Sequence, residues 1–274
     1  MSTSVQKLLL GVVCFLSIIV SLKAGGSQKQ GIGFWSFKGA GIGLNELGAS
    51  WCYNWQNEAP ADLRAEIEFV PMIWDEKDVQ DSALKEAKKH GTILLGFNEP
   101  DHLKQANMSV ELALKLWPQL EATGMRLGSP STAGGADKKD SWFGQFMRQS
   151  MERGYRIDFV CVHYYESNFS DPIEGSKKLK AFLESVYGLY NKPIWLTEFA
   201  LSNWKTPAHP DQQRAYMEAV LPMLESLPFV ERYAWFALPP NPHGDEGALA
   251  GSNLCDNEGK LNSLGKTYQR PNLH

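Results

Sequence analysis

The stretch that decides the fold is Thr92-Ile93-Leu94-Leu95-Gly96-Phe97-Asn98-Glu99-Pro100. A short apolar run of this kind, rich in Leu and Ile, is typical of a buried strand. Pro100 then ends the hydrogen-bonded ladder, because proline has no N–H to donate. The sequence therefore predicts a buried strand that holds the acidic side chain of Glu99 at its carboxyl end.

Strand-like segments recur along the whole chain. Besides residues 92–98, they are 31–37, 48–53, 68–74, 125–131, 158–165, 193–199 and 231–237. Amphipathic stretches predict helices at 78–90, 109–123, 141–153, 176–190 and 210–227. Strands that alternate with helices indicate an α/β fold with a parallel sheet, and eight of them in this length predict a closed (β/α)8 TIM barrel. The first two segments leave too little chain for a full helix, so we expect irregularity around the first strands.

Composition and charge narrow the class of protein. The chain has 274 residues, 43% of them hydrophobic, and a net charge of −4, so a nucleic-acid partner is disfavoured. The six histidines are too scattered to suggest a metal cluster, and we expect no metal and no cofactor. Besides Cys14 in the N-terminal apolar run, the cysteines are Cys52, Cys161 and Cys255, an odd number that excludes a disulfide scaffold and leaves room for one bridge. No repeat or linker is visible, so we expect one domain and a monomer.

The N-terminus has the layout of a secretory signal peptide. Lys7 precedes an apolar run at 8–22, and small residues follow at 24–27. The run is shorter than the roughly 20 residues that a membrane span needs. We expect residues 1–24 to be removed, leaving a single barrel domain at 25–274 with no membrane association. The product would be secreted, extracellular or wall-associated, or periplasmic for a bacterial source; an uncleaved anchor is the alternative.

A second acid ends another predicted strand. In Pro193-Ile194-Trp195-Leu196-Thr197-Glu198-Phe199, alternation places Ile194, Leu196 and Glu198 on one side. If that side faces inward, Glu198 caps the barrel interior and Trp195 packs on the outer face. Glu99 and Glu198 then lie on strands four and seven, across the barrel mouth, where barrel active sites occur. Such a pair suits hydrolysis of a glycosidic bond, which needs one acid and a second carboxylate. A glutamate considered alone is more often a surface residue.

Aromatic and polar side chains accompany the two acids at predicted strand ends. They are Trp51, Tyr53, Asn54 and Trp55 on segment two, His163 and Tyr165 on segment six, and Trp235 on segment eight. Aromatic planes can stack on sugar rings, and His163 can hydrogen-bond a carboxylate or a hydroxyl. The alternative is that the aromatic rings simply fill the core, because they bury large areas.

Four segments together carry a family resemblance. They are Ser50-Trp51-Cys52-Tyr53-Asn54-Trp55, Gly96-Phe97-Asn98-Glu99-Pro100-Asp101, Val162-His163-Tyr164-Tyr165 and Trp195-Leu196-Thr197-Glu198-Phe199. In this order they resemble glycoside hydrolase family 128, a family of endo-β-1,3-glucanases in the clan of retaining (β/α)8 glycosidases. The resemblance extends from about residue 31 to about residue 264. One departure is Gly33-Phe34-Trp35, where the family more often has a polar run.

The resemblance implies cleavage of β-1,3-glucan, as polysaccharide or oligosaccharide, with retention of configuration. It implies Glu99 as the acid/base and Glu198 as the nucleophile. Further implied roles are binding of the sugar 2-hydroxyl by Asn98, positioning of the nucleophile by His163 or Tyr165, and a sugar platform from Trp235. Because like charges repel, we expect one proton to be retained, on Glu99, with Glu198 ionised. A non-catalytic glucan-binding wall protein, or a glycosidase for another β-linked polysaccharide, stays as the alternative, as does exo rather than endo attack.

The leader gives a first prediction. Exported protein should begin at Gly25 or Gly26, because a signal peptidase cuts after small residues such as Ala24. N-terminal sequencing of the exported protein measures this directly. Recovery of intact Met1 would instead indicate an uncleaved anchor.

Overall fold

The computed structural model describes residues 27–238 and 246–269. The predicted signal peptide at 1–24 lies outside the described residues. Eight strands follow one another along the chain, and each overlaps one of the eight predicted segments. They are β1 Gln30–Phe34, β2 Trp51–Tyr53, β3 Glu68–Phe69, β4 Ile93–Leu94, β5 Arg126–Leu127, β6 Val160–Glu166, β7 Ile194–Leu201 and β8 Val230–Leu238.

All strand pairings between these elements are parallel. Six strands form one sheet in the order β3-β2-β1-β8-β7-β6, and β4 pairs with β5. Isolated parallel bridges connect the two parts, from Met72 to Leu95 on one side and from Gly128 to Phe159 on the other. The predicted (β/α)8 barrel is therefore present, with ladders between most neighbouring strands and only isolated bridges between β3 and β4 and between β5 and β6.

Helices cover the outside of the barrel. They are α1 Ala40–Leu47, α2 Asp81–Ala87, α3 Val110–Glu121, α4 Trp142–Glu152, α5 Pro172–Tyr190, α6 Pro210–Ser226, α7 Glu246–Leu249 and α8 Ser263–Gln269. The five predicted helices are all present. The chain between β1 and β2 accommodates the short helix α1, and the irregular connection is the next one, 54–67, which has no helix. Within the described ranges, no helix is long and apolar enough to cross a membrane.

Capping residues explain where the helices begin. The Ser109 side chain accepts a hydrogen bond from the N–H of Leu112 at the start of α3, as predicted from sequence. Helix α5 begins at Pro172, four residues before its predicted start. Asp171 caps it by accepting from the N–H of Glu174, and Pro172 occupies the first turn, where its missing N–H costs nothing.

The barrel interior is filled by side chains from alternating strand positions. They are Trp51, Tyr53, Val70, Met72, Ile93, Leu95, Phe159, Cys161, Trp195 and Ala234. The expectation that Trp195 packs on the outer face is therefore wrong. Its ring lies 4.3 Å from that of Phe159 and 5.0 Å from that of Trp51, between centroids. Leu196 packs instead in the outer layer, against the helices. The three described cysteines, Cys52, Cys161 and Cys255, are buried and unpaired.

A register shift in β7 brings Glu198 inward despite this inverted alternation. Val162 of β6 pairs with Leu196, and His163 pairs with Glu198, so Thr197 has no partner in the ladder. The β7–β8 ladder shifts over the same residues, from Leu196 to Phe199. One extra residue in a strand re-aims the side chains that follow it. Thr197 and Glu198 therefore both face the interior, although they are adjacent in sequence.

Charged groups close the amino end of the barrel beneath this interior. The Arg232 guanidinium lies 4.4 Å from the ring centroid of Trp195 and 5.6 Å from that of Trp51. It also donates to Glu68 at 2.6 Å. A cation over an indole face gains electrostatic energy, most of all where water is excluded. The amino end of the barrel is therefore closed by packed rings and a charged pair. A functional site is expected at the opposite end, where the strands have their carboxyl ends.

The corrected position of Trp195 gives a stability prediction. Trp195→Ala should lower the free energy of unfolding by about 3–5 kcal/mol, because a fully buried indole is removed from the interior. Trp204→Ala is the matched control: that side chain is 55% exposed, and its removal should cost under about 0.5 kcal/mol. Urea unfolding curves of both variants measure the difference. Equal losses would contradict the interior assignment.

Candidate active site

Two carboxylates and one imidazole meet at the carboxyl ends of the strands. The Nδ1 atom of His163 lies 2.9 Å from Oε1 of Glu99, and its Nε2 atom lies 3.5 Å from Oε1 of Glu198. One ligand-type atom from each of the three residues lies within 4.8 Å of the other two. The His163 side chain is fully buried, and 14% of the Glu99 side chain and 7% of the Glu198 side chain are exposed. The acids from β4 and β7 are thus a close pair that opens toward solvent on the Glu99 side.

Hydrogen-bond donors hold both oxygens of Glu198. The hydroxyl of Tyr165 donates to Oε2 at 2.7 Å, and the indole N–H of Trp55 donates to Oε1 at 3.0 Å. One layer below, the hydroxyl of Tyr53 donates to the carbonyl oxygen of Thr197 at 2.8 Å. The orientation of Glu198 is therefore fixed from two sides, by β6 and by β2 with the loop that follows it, which suits a group that must react in one direction.

The backbone of Glu99 is strained. Its φ of 43° lies in the left-handed region, which a residue with a Cβ seldom adopts. Its N–H donates to the carbonyl oxygen of Ser131, and the preceding residue, Asn98, forms a parallel bridge with Ser131. Asn98 is 3% exposed, and its Oδ1 atom has no hydrogen-bond partner among the described residues. An amide oxygen in this state is ready to accept from a bound ligand.

Burial and charge shift the pKa values at this cluster. Burial and the charge of Glu99 raise the pKa of Glu198, against the opposing effects of His163 and the two hydrogen-bond donors. For His163, burial lowers the pKa, but the nearby carboxylates, Glu198 first, outweigh it and raise the pKa overall. The expectation from sequence put the retained proton on Glu99, whereas here the pKa of Glu198 is raised. The ionisation of Glu198 and that of His163 are therefore linked, because the charge of each shifts the pKa of the other.

The hydroxyl of Tyr165 keeps its proton at neutral pH and remains a hydrogen-bond donor to Glu198. Its burial and the charge of Glu198 raise the pKa of the Tyr165 hydroxyl well above its usual range. The same two causes raise the pKa of Tyr53. Neutral hydroxyls beside a carboxylate stabilise its charged form, so Tyr165 favours an ionised Glu198.

Three rings form an aromatic wall beside Glu198, defined here as Trp35 just after β1, Trp55 just after β2 and Phe236 on β8. Trp35 stacks on Trp55 with ring centroids 4.7 Å apart, and both meet the edge of Phe236. Neither Trp35 nor Phe236 was among the sequence-based candidates. Phe236 could have been found by extending the alternation of β8, which turns it inward, whereas Trp35 belongs to the segment that departs from the family pattern.

A cavity of about 580 Å³ opens on the other side of the carboxylates, within the usual size range of ligand pockets. Glu99, His163 and Tyr165 line it, together with loop residues that follow β4, β5 and β7. Trp204, also absent from the sequence-based candidates, stands at its edge and meets Tyr165 edge to face at 4.8 Å. A larger cavity of about 690 Å³ between α4 and α5 is lined by no carboxylate. The chemistry therefore belongs to the smaller cavity.

Three predicted binding residues do not reach this site. The ring of Trp235 is fully buried on the helix side of β8, where its N–H donates to the carbonyl oxygen of Ser252 at 2.8 Å. Alternation explains this correction, because β8 turns Phe236 inward and Trp235 outward. Trp51 is buried at the amino end of the barrel and donates to the carbonyl oxygen of Lys29. The Asn54 side chain forms two hydrogen bonds within the loop after β2: its Nδ2 atom donates to the carbonyl oxygen of Glu58, and its Oδ1 atom accepts from the N–H of Gln56.

By distance alone, Glu99, His163 and Glu198 could share a cation. The oxygens of Glu198, however, already accept hydrogen bonds from Tyr165 and Trp55, and His163 faces Glu99 at hydrogen-bond distance. These partners suit proton transfer and nucleophilic attack better than ligation of a metal. The absence of a metal stays a prediction from the sequence.

A barrel with paired acids at its carboxyl face defines the class of glycoside hydrolases that work with two carboxylates. In agreement, the family model described as glycosyl hydrolase catalytic core matches residues 36–268. The chain belongs to this family and, within it, to glycoside hydrolase family 128, as the following relatives show.

Three relatives illustrate the membership. A subgroup I endo-β-1,3-glucanase of family 128 from Amycolatopsis mediterranei, solved with laminaritriose, is 40% identical; the match covers 89% of this chain and 99% of that chain, with a TM-score of 0.81. A subgroup III curdlan-specific exo-β-1,3-glucanase from Blastomyces gilchristii is 29% identical, over 89% of this chain and 98% of that chain, with a TM-score of 0.71. Alkali-sensitive linkage protein 1 of Schizosaccharomyces pombe is 30% identical over 88% of this chain, which spans 44% of that relative's length.

The donors to Glu198 give a prediction about pH dependence. A reaction that needs ionised Glu198 is lost as pH falls through its pKa, and this pKa is raised. Tyr165→Phe removes a donor that lowers it, so the acidic limb of the kcat/KM profile should move to higher pH. At the optimum, kcat/KM should fall about 10- to 100-fold, as expected for a hydrogen bond to a charged group.

Tyr187→Phe is the matched control, since that ring stacks on Phe229 away from the carboxylates. It should leave both the profile and the rate unchanged. A pH profile measured on laminarin for the three proteins is sufficient. An acidic limb of Tyr165→Phe that coincides with that of the unmodified protein would contradict the assigned role.

Proposed function

We propose that this protein is a secreted, retaining endo-β-1,3-glucanase that acts through Glu198 as nucleophile and Glu99 as acid/base. The observation that carries the proposal is the short distance between the two acids, which have oxygen atoms within 4.8 Å of each other. Retaining enzymes hold their two carboxyl groups about 5–5.5 Å apart, whereas inverting enzymes need about 6.5–9.5 Å to admit a water molecule. The gap here favours double displacement.

The roles of the two acids follow from their surroundings. Glu198 is oriented by Tyr165 and Trp55, and its ionised form is stabilised by their hydrogen bonds. It can attack the anomeric carbon while Glu99, which is the more exposed acid and borders the open cavity, protonates the leaving oxygen. His163 lies between them and can adjust to the charge that each acid carries in turn.

Substrate binding is assigned from the groups around this pair. Asn98 adjoins Glu99 and has a free amide oxygen, which suits the 2-hydroxyl of the sugar at the cleavage point. The aromatic wall stands beside Glu198 and offers ring faces and edges to that sugar, in the place first expected of Trp235. The relative solved with laminaritriose supports β-1,3-glucan as the substrate. A protein that only binds glucan would have no use for two oriented carboxylates.

Endo attack and secretion are the finer parts of the proposal. Binding groups stand on both sides of the carboxylates, the aromatic wall on one and the cavity beside Glu99 on the other, which supports a chain that extends in both directions. The endo-acting relative is also 40% identical, compared with 29% for the exo-acting one. Secretion rests on the predicted leader at 1–24 and on the polymeric nature of the substrate.

Variants of the two acids test the mechanism. Glu198→Ala should abolish turnover, because no glycosyl-enzyme can form. Glu99→Ala should lower kcat on laminarin about 10²–10⁴-fold but still attack a dinitrophenyl β-laminarioside, whose leaving group needs no proton. Azide should then release the stalled intermediate of Glu99→Ala as the β-glycosyl azide, whereas Glu198→Ala should yield the α-azide.

Proton NMR identifies the anomer in each case, and Glu111→Gln, on the exposed surface of α3, is the control that should retain full activity. An α-azide from Glu99→Ala would reverse the two roles. Inverted configuration in the first products of the unmodified protein would refute double displacement.

A further inference from the structure

The two sides of the cleft are built differently around Glu198. On one side, the aromatic wall reaches the nucleophile directly, because Trp55 donates to its Oε1 atom. On the other side, the cavity of about 580 Å³ is bordered by Glu99 but not by Glu198. The sugar that becomes bonded to Glu198 must therefore lie along the aromatic wall. The leaving part of the chain, whose oxygen takes the proton of Glu99, must lie in the cavity.

Trp204 provides this cavity with an exposed aromatic surface. Its side chain is 55% exposed, and its ring meets the edge of Tyr165, which itself touches Glu198. Its φ of 58° places it in the left-handed region, and the hydroxyl of Ser202 accepts from its N–H. A strained backbone that presents a largely exposed indole to a cavity indicates a role in ligand binding. A sugar ring can lie on this indole while it borders Glu99.

The nucleophile is in addition sheltered from water. Glu198 is buried, and both its oxygens accept hydrogen bonds, from Tyr165 and Trp55. The rings of these two donors meet Phe236 at ring-centroid distances of 5.8 Å and 5.7 Å. The cavity beside Glu99 gives water a route to the glycosyl-enzyme. Any sugar held there by Trp204 occupies the same route and brings its hydroxyl close to the reacting carbon.

We propose that the protein also transfers glucan chains, with the cavity beside Glu99 as the acceptor site and Trp204 as its platform. This inference rests on the proposed double-displacement function. In the first step Glu198 bonds to the anomeric carbon, the glycosidic bond breaks, and the proton of Glu99 goes to the leaving oxygen. In the second, a hydroxyl of an acceptor glucan attacks that carbon, the bond to Glu198 breaks, and the acceptor proton returns to Glu99. No water is consumed, and one glycosidic bond replaces another.

Laminarihexaose in ¹⁸O-labelled water separates the two fates of the intermediate. Hydrolysis places one ¹⁸O on a new reducing end, whereas transfer gives unlabelled products longer than the hexaose. Mass spectrometry should show longer products whose share rises with substrate concentration. In Trp204→Ala the ratio of transfer to hydrolysis should fall about fivefold, as expected for loss of one aromatic contact. Trp204→Phe should retain most of the transfer.

The control is Met151→Ala, which removes a side chain that is 75% exposed on α4, away from the carboxylates, and should behave as the unmodified protein. If only shorter, labelled products form at every concentration, the transfer proposal is wrong and the hydrolase proposal stands. If no product forms, the hydrolase proposal itself fails. If Trp204→Ala transfers as well as the unmodified protein, the acceptor site does not lie at Trp204 and the proposal is overturned.

Discussion

Two acids held beside each other in a largely buried place are the constraint on which this site depends. Like charges at this distance repel, and burial adds to the cost of ionising either one. Hydrogen-bonding groups stabilise the charges: His163 lies between the acids, and Tyr165 and Trp55 donate to the two oxygens of Glu198. The same donors fix the direction of Glu198, so the groups that stabilise its charge also orient its carboxylate.

The register of β7 decides whether these donors and acids can meet. Trp195 faces the interior, and strict alternation would turn Glu198 outward toward the helices. The shift at Thr197 reverses this, and the site end of β7 is secured by Tyr53, which donates to the Thr197 carbonyl oxygen. A bulge next to an active site is thus a positioning device here, because it aims one side chain without disturbing the packed strand below it.

The two ends of the barrel differ: packed and paired side chains close the amino end, and the candidate site lies at the carboxyl end. At the amino end, Arg232 lies against Trp195 and Trp51 and pairs with Glu68, so the interior is closed and electrostatically paired. At the carboxyl end, strained backbones at Glu99, Trp55 and Trp204 present side chains to the cleft. Strain of this kind persists only where the surrounding structure is rigid, and the packed interior supplies that rigidity.

The sequence by itself determined the alternation of strands and helices, the barrel, and the two acids as strand-end residues, because apolar runs that stop at Asn-Glu-Pro or continue through Thr-Glu-Phe are local patterns. His163, Tyr165 and Trp55 could also be selected, since each follows an apolar strand. Only the tertiary structure decided which rings line the cleft. Trp235 and Phe236 are adjacent aromatic residues, and the alternation of β8 turns the first toward the helices and the second toward the aromatic wall beside Glu198. The position of Trp204 and the bulge at Thr197 could not be predicted from the sequence either. A loop conformation and a register shift depend on contacts with parts of the chain that are distant in sequence.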